Sequence, residues 1–245
     1  MKLKANCATH VGMVRKENQD SYFLDEENGV FIVADGMGGH AGGQVASKMC
    51  VEEFKTLTHK VWSDSVETSD VHMLIERTFN KACTKIYEKS LENPDLRGMG
   101  TTASAGILIG EKVHFGHVGD SRIYLYRGGF IYQLSHDHSL VAEQLQAGVI
   151  TEETAQNHQL KNVITRSIGY QEDEYVDTFS ILAEAGDTLL LCSDGLVNKV
   201  TDSEIAEMIA SSHDSEQTCR ELVELANSRG GEDNTTVLIA NIYNN

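Results

Sequence analysis

Every position from Val30 to Ala34 is apolar, and the run stops at Asp35, ahead of a glycine-rich stretch that ends at Gly43. The run is too short for a helix and rich in β-branched and aromatic residues, so it predicts a buried strand ending at the aspartate. Extended patterns precede it over 4–10 and 21–24, with a turn at 26–29. The period then becomes helical. Ala46, Cys50, Phe54 and Leu57 share one face of a helix over 43–57, and Val71, Ile75, Phe79, Ala82 and Ile86 form the stripe of a longer one over 66–92. Asn93-Pro94, with the chain's only proline, ends that helix.

From Gly100 the period is two. Runs over 101–109, 112–117, 122–126 and 130–134 predict four short strands, joined at Gly110-Glu111, Gly119 to Ser121 and Gly128-Gly129 as consecutive antiparallel hairpins. Residues 139–169 break the rhythm, with a short helix over 140–147 and another from about 151. Strands return over 178–182 and 188–193, the second leading into Asp194-Gly195. Thr201 and Glu204 form a capping box before a helix carrying Ile205, Met208 and Ile209. Asp214 opens a last helix containing Cys219, Leu222, Val223 and Ala226, and a strand over 236–242 closes the chain. No linker, repeat or compositional shift divides the sequence. The expectation is one α+β domain over 1–245, a mostly antiparallel core covered by helices, with 139–169 as an insertion.

Composition narrows what such a domain does. The 245 residues carry 37 acidic and 20 basic side chains, a net charge of −17, with no Lys/Arg cluster. That excludes a nucleic-acid partner, since no basic surface exists to neutralise phosphates. Five scattered cysteines lack a C-x-x-C pair, the N-terminus is unlike a signal peptide, and no apolar run approaches a membrane span. A cytoplasmic protein without a membrane segment is expected.

The acids also repeat a design. Asp35-Gly36 and Asp194-Gly195 each follow an apolar strand, Asp120 follows Gly119 at a strand end, and Asp233 follows Gly230-Gly231 before a strand. Asp20 stands beside a strand start. Taken singly, each is a turn aspartate capping its own backbone. Together they match what Mg²⁺ or Mn²⁺ needs, several carboxylate and carbonyl oxygens with room for water. Four converging carboxylates would repel by roughly 4 kcal/mol per close pair at an effective dielectric of 20. Two divalent cations would cancel their charge, and Arg15 would add a positive group for a phosphate.

Seven segments, Arg15-x-x-Asn18-Gln-Asp20, Asp35-Gly-Met-Gly-Gly-His40, Gly100-Thr-Thr102, Gly119-Asp-Ser-Arg122, Asp137-His-Ser139, Ser193-Asp-Gly195 and Gly231-x-Asp-Asn-x-Thr236, occur in the order seen in bacterial type 2C serine/threonine protein phosphatases, the metal-dependent PPM family. The chain resembles that family over almost its whole length. The resemblance implies a four-layer α-β-β-α sandwich of two antiparallel sheets flanked by helices. It implies two Mn²⁺ or Mg²⁺ ions, with Asp35 bridging them, the Gly36 carbonyl on one, and Asp194 and Asp233 on the other. Asp120, with Asp194, resembles a looser third site. Asp20 is implied to hold water on the metals, and an activated water attacks phosphoserine or phosphothreonine without a phosphoenzyme. Arg15 is expected to bind phosphate, with an ion pair to Glu17 or Asp20 as its plainer role.

The family's animal members carry histidine directly after the first Asp-Gly, where this chain has Met37, as bacterial members do. His40 is the candidate proton donor to the leaving group, with loop packing as its alternative. His138 is expected to orient Asp137 or a backbone carbonyl, and Ser139 is no nucleophile. Segment 139–169 resembles the family's flap, beside the substrate. Phosphorylated proteins are the expected partners, together with a cognate Ser/Thr kinase that the enzyme opposes, and the chain is expected to be a monomer. The competing functions are a non-catalytic phosphate-binding or regulatory member and a hydrolase of small phosphoesters. The first would show as a missing ligand residue, whereas Asp35, Asp194 and Asp233 are all present.

Overall fold

The computed structural model describes residues 1–39, 41–63, 70–156, 158–212 and 214–244. Its strands are β1 (Lys2–His10), β2 (Asp20–Asp25), β3 (Val30–Met37), β4 (Gly100–Thr101), β5 (Ala103–Ile109), β6 (Lys112–Val118), β7 (Arg122–Arg127), β8 (Phe130–Gln133), β9 (Asp177–Leu182), β10 (Thr188–Cys192) and β11 (Thr235–Tyr243). Its helices are α1 (Gly42–Ser63), α2 (Val71–Glu92), α3 (Leu140–Gln146), α4 (Glu152–Gln156), α5 (Asp194–Val197), α6 (Asp202–Ser211) and α7 (Ser215–Ser228). One antiparallel sheet runs β1-β11-β10-β7-β8; the other runs β2-β3-β5-β6-β9, with β4 pairing to β3.

The sheets lie face to face, and alternation along their strands explains why the central ones read as unbroken apolar runs. In β3, Val30, Ile32 and Ala34 face the layer of α1 and α2, while Phe31 and Val33 face the other sheet. In β10, Leu189 and Leu191 enter the space between the sheets, and Leu190 and Cys192 pack beneath the C-terminal helices. A strand buried on both faces has no polar alternation to show. The expected stripes on α1 and α2 are buried, from Ala46 to Leu57 and from Val71 to Ile86. The capping box at Thr201 and Glu204 is made, and the Asp214 side chain accepts from the Glu216 and Gln217 amides. This is the α-β-β-α sandwich the resemblance implied.

Three expectations change. β3 does not end at Asp35: it continues through Gly36, opposite Thr101, to Met37, opposite Gly100. The run of hairpins is broken once. β5 and β6 pair, as do β7 and β8, but β7 leaves β6 to pair with β10 in the other sheet. The crossing is made at Gly119, whose φ of +108° and close approach to Thr102 exclude a side chain. Strand periodicity cannot separate such a crossover from a tight hairpin. Last, Asp194, which taken singly reads as a turn aspartate, opens a one-turn helix, α5.

Gly36 and Gly43 bring β3 against the start of α1. A Cβ on Gly36 would stand 2.1 Å from the Gly43 carbonyl oxygen and 2.6 Å from that of Gln19. Both obstacles are backbone, so Gly36→Ala is expected to cost about 1–3 kcal/mol, read as a lower urea midpoint at unchanged m-value.

Candidate metal centre

The antiparallel pairing of β2 with β3 sets Asp20 directly opposite Asp35. Like charges facing each other across a ladder destabilise it, so a sheet without a use for the pair would avoid it. Asp35 is held through its backbone: its N–H donates to Thr102 Oγ1 at 3.0 Å, and its carbonyl accepts from the Thr102 amide and the Thr101 hydroxyl, both at 2.9 Å. The Asp20 carboxylate is fixed from the other sheet. Its Oδ2 accepts from Thr236 Oγ1 at 2.6 Å and Ser193 Oγ at 2.9 Å. The seam between the sheets is thus closed by the residues flanking Asp194 and Asp233.

Asp194 lies in the first turn of α5, and its Oδ2 accepts from Asn198 Nδ2, one helical turn on, at 3.1 Å. Asp233 precedes β11, and its loop is tied to the N-terminal loop by Asn234, which donates to the Val11 and Glu17 carbonyls and accepts from the Gln19 amide. Met13 N donates to the Gly231 carbonyl across the same junction. Arg15, Asp35, Gly36, Asp120, Asp194 and Asp233 line one cavity of about 210 Å³. All the expected ligand residues therefore share it, with Asp20 behind Asp35.

The electrostatics are those of crowded carboxyls. Burial first, then the charges of Asp20, Asp194, Asp120 and Asp233, holds Asp35 well above the usual carboxylate range. Burial raises Asp20 to about 6 against the opposing pull of the Thr236 and Ser193 hydroxyls. Burial, then Asp233, raises Asp194 to about 6; burial, then Asp194 and Asp137, raises Asp120 to about 8. The Asp35 carboxyl lies against those of Asp20 and Asp194, and the crowding of the three favours their protonated forms. Asp20 Oδ1 and Asp194 Oδ1 are buried and meet no amide, hydroxyl or cationic donor. Among the described residues no three His, Cys, Asp or Glu groups converge as a finished ligand shell. The donor set still fits Mn²⁺ or Mg²⁺: oxygens only, crowded anions, and two oxygens without a donor.

Arg15 pairs with neither Glu17 nor Asp20. Its Nη2 donates to Asp233 Oδ2 at 2.7 Å, and its other guanidinium donors make no hydrogen bond among the described residues. His138 does not orient Asp137, which is gripped by Arg122 through three hydrogen bonds of 2.7–3.0 Å. His138 instead clamps Gly119: its Nδ1 accepts the Gly119 amide at 3.0 Å, while its own amide donates to the Gly119 carbonyl at 2.8 Å. The histidine therefore steadies the residue next to Asp120. Its Nε2 faces Asp177 Oδ2 at 3.1 Å, and Ser139 Oγ caps α3. His40 lies outside the described residues.

Three site residues escaped the sequence. Asn162 and Ile164, from segment 139–169, line the same cavity as Asp35. Nothing in their spacing marks them, because a loop returns to the centre only in three dimensions. Asn198 stands four residues after Asp194, a signal legible only once α5 is known to be helical. Among the described residues no helix is long and apolar enough to cross a membrane.

The description of the protein phosphatase 2C family matches residues 13–232. A serine/threonine phosphatase stp of Listeria monocytogenes is 39% identical over 244 residues, covering 97% of this chain and 95% of that protein. The Mycobacterium tuberculosis serine/threonine phosphatase PstP/Ppp superposes with a TM-score of 0.92 at 32% identity, over 100% of both chains. A catalytic domain of PstP in complex with two manganese ions gives a TM-score of 0.88 at 33% identity, over 99% of each chain.

Proposed function

The chain belongs to the protein phosphatase 2C family and is a serine/threonine phosphatase of that type, and from that premise we propose that its carboxylate cavity is a dinuclear Mn²⁺ or Mg²⁺ centre for phosphoserine and phosphothreonine hydrolysis. Asp35, the Gly36 carbonyl, Asp194 and Asp233 would hold two ions, with Asp120 and Asp194 offering a looser third position. The observation that carries this is the placing of Asp20 opposite Asp35, which lines one cavity with Asp120, Asp194 and Asp233, where Arg15 is the one cationic side chain among the described lining residues. When bound, the ions supply a water activated near neutral pH and offset the charge of the phosphoryl group.

The chain's own groups do the positioning. Asp20, immobilised by Ser193 and Thr236, offers Oδ1 as the acceptor that orients the attacking water. Arg15, steadied by Asp233 through Nη2, keeps Nε and Nη1 for phosphate oxygens, the fork geometry that suits a phosphoryl group. Asp120, steadied through Gly119 by His138, lines the cavity. His40 is proposed to protonate the leaving alkoxide. The physiological role proposed is reversal of a Ser/Thr kinase, with the enzyme working as a monomer.

Hydrolysis of p-nitrophenyl phosphate and of a phosphothreonine peptide, assayed with Mn²⁺ and with EDTA, tests this. Both activities are expected with Mn²⁺, to fall by at least about a hundredfold in EDTA, and to return on adding Mn²⁺ in excess. Metal-independent turnover, or none in a folded protein, would sink the assignment.

A further inference from the structure

A second cavity, of about 480 Å³, opens directly from the first: Asp120, Asp194 and Asn162 border both. Its lining is mixed: Arg122, Asp137, Lys161 and Thr201 are polar, and an apolar part comes from separate elements of the fold. Val141, Ala142 and Leu145 of α3 form one side, and Val197 of α5 the other. Val141 and Leu145 are one helical turn apart and share a face. Val141 is buried, whereas Leu145 keeps 37% of its surface exposed. At the groove the helix therefore leaves Leu145 part-exposed beside the buried Val141, although it has Glu143 and Gln146 to show to water.

We propose that this groove is a subsite for protein substrates, taking an apolar side chain next to the phosphorylated residue between Leu145 and Val197. The proposal rests on the phosphatase reading above, which fixes where the phosphate sits. A phosphoserine or phosphothreonine reaching Asp35 and Arg15 leaves its backbone at the cavity mouth, and the flanking residues run along whatever adjoins it. What adjoins it on the Asp120 and Asp194 side is this groove, continuous with the centre, where Ala142, Leu145 and Val197 offer an apolar patch among charged and polar neighbours. Asn162 at the shared border and Asn198 beside Val197 offer amides to the substrate backbone. A segment carrying leucine, valine or methionine there is bound; one carrying glycine leaves the walls wet. Discrimination then arises in KM, because these contacts form with the ground state and persist in the transition state.

Paired phosphothreonine peptides test this, each pair differing only by leucine or glycine at one of the three positions on either side of the phosphothreonine. Wild type is expected to prefer leucine at one position by roughly tenfold in kcat/KM, carried by KM. Leu145→Asp is expected to erase the preference and leave p-nitrophenyl phosphate turnover unchanged. Leu145 is part-exposed, and Leu145→Ala, expected to weaken the preference about threefold, serves as the second variant should the aspartate disturb folding. No leucine preference at any position, or a preference that survives both variants, overturns the proposal. Loss of p-nitrophenyl phosphate turnover in wild type would instead fall on the phosphatase reading.

Discussion

Asp35→Asn is expected to reduce turnover of p-nitrophenyl phosphate to well under a tenth of wild type, on the order of a 10²–10³-fold loss, in a protein that still folds. Asparagine has the same shape, and the bonds that hold position 35 in β3 are backbone bonds to Thr101 and Thr102, which the substitution leaves alone. What it removes is the charge that the cavity needs most in order to attract a hard cation. The same substitution removes a carboxyl that burial, and then the surrounding acids, press to stay protonated. In EDTA at neutral pH, the variant should therefore melt no lower than wild type, and somewhat higher. A steady-state assay with Mn²⁺ and a circular-dichroism melt without it check the two halves. Residual activity above a tenth would count against Asp35 as a ligand, and a lower melting point would count against the crowding.

How far the fold could be read depended on the range of the interactions that set it. The α1 and α2 stripes, the Thr201 capping box and the Asp214 cap are local patterns, and each sits where its spacing placed it. Asp35 was harder. Its following glycines signal a turn by propensity, yet Gly36 is there so that the strand can run on against Thr101 while the start of α1 passes over it. Propensity reads the glycine's freedom; only the packed structure shows the close approach. Arg15 and His138 missed their partners for the same reason. Arg15 chose Asp233, 218 residues away, over the neighbours the sequence offers, and His138 reached Gly119 across the crossover between sheets. The converging aspartates, by contrast, were legible because their motifs repeat. Gathering five acids from strand starts and strand ends is what two facing sheets do at one edge.

The metal-free protein is expected to lose stability as pH rises from about 4 to 8, the reverse of ordinary acid denaturation, and Mn²⁺ is expected to cancel the loss. The sign follows from where the protons sit. Asp20 and Asp194 are raised from 3.8 to about 6 and Asp120 to about 8, so the folded chain keeps protons that the unfolded chain releases above 3.8. Stability from these groups is complete below 3.8 and is lost as pH rises through 6 and then 8. At 1.36 kcal/mol per unit, Asp20 alone contributes about 3 kcal/mol to that fall. The acids share protons, so the total is less than the sum over them. For a chain of this size, that single contribution is roughly 6–12 °C in melting temperature. Divalent metal acts against the same slope: it binds the deprotonated carboxylates, so its stabilisation should be small near pH 5 and largest near pH 8. Melts across pH 4.5–8.5, in EDTA and in Mn²⁺, separate the two curves, and Asp20→Asn should flatten the EDTA one. A melting temperature in EDTA that stays level or climbs between pH 5 and 8 would mean that these carboxyls do not crowd one another in solution, and the case for a shared metal centre would lose its electrostatic support.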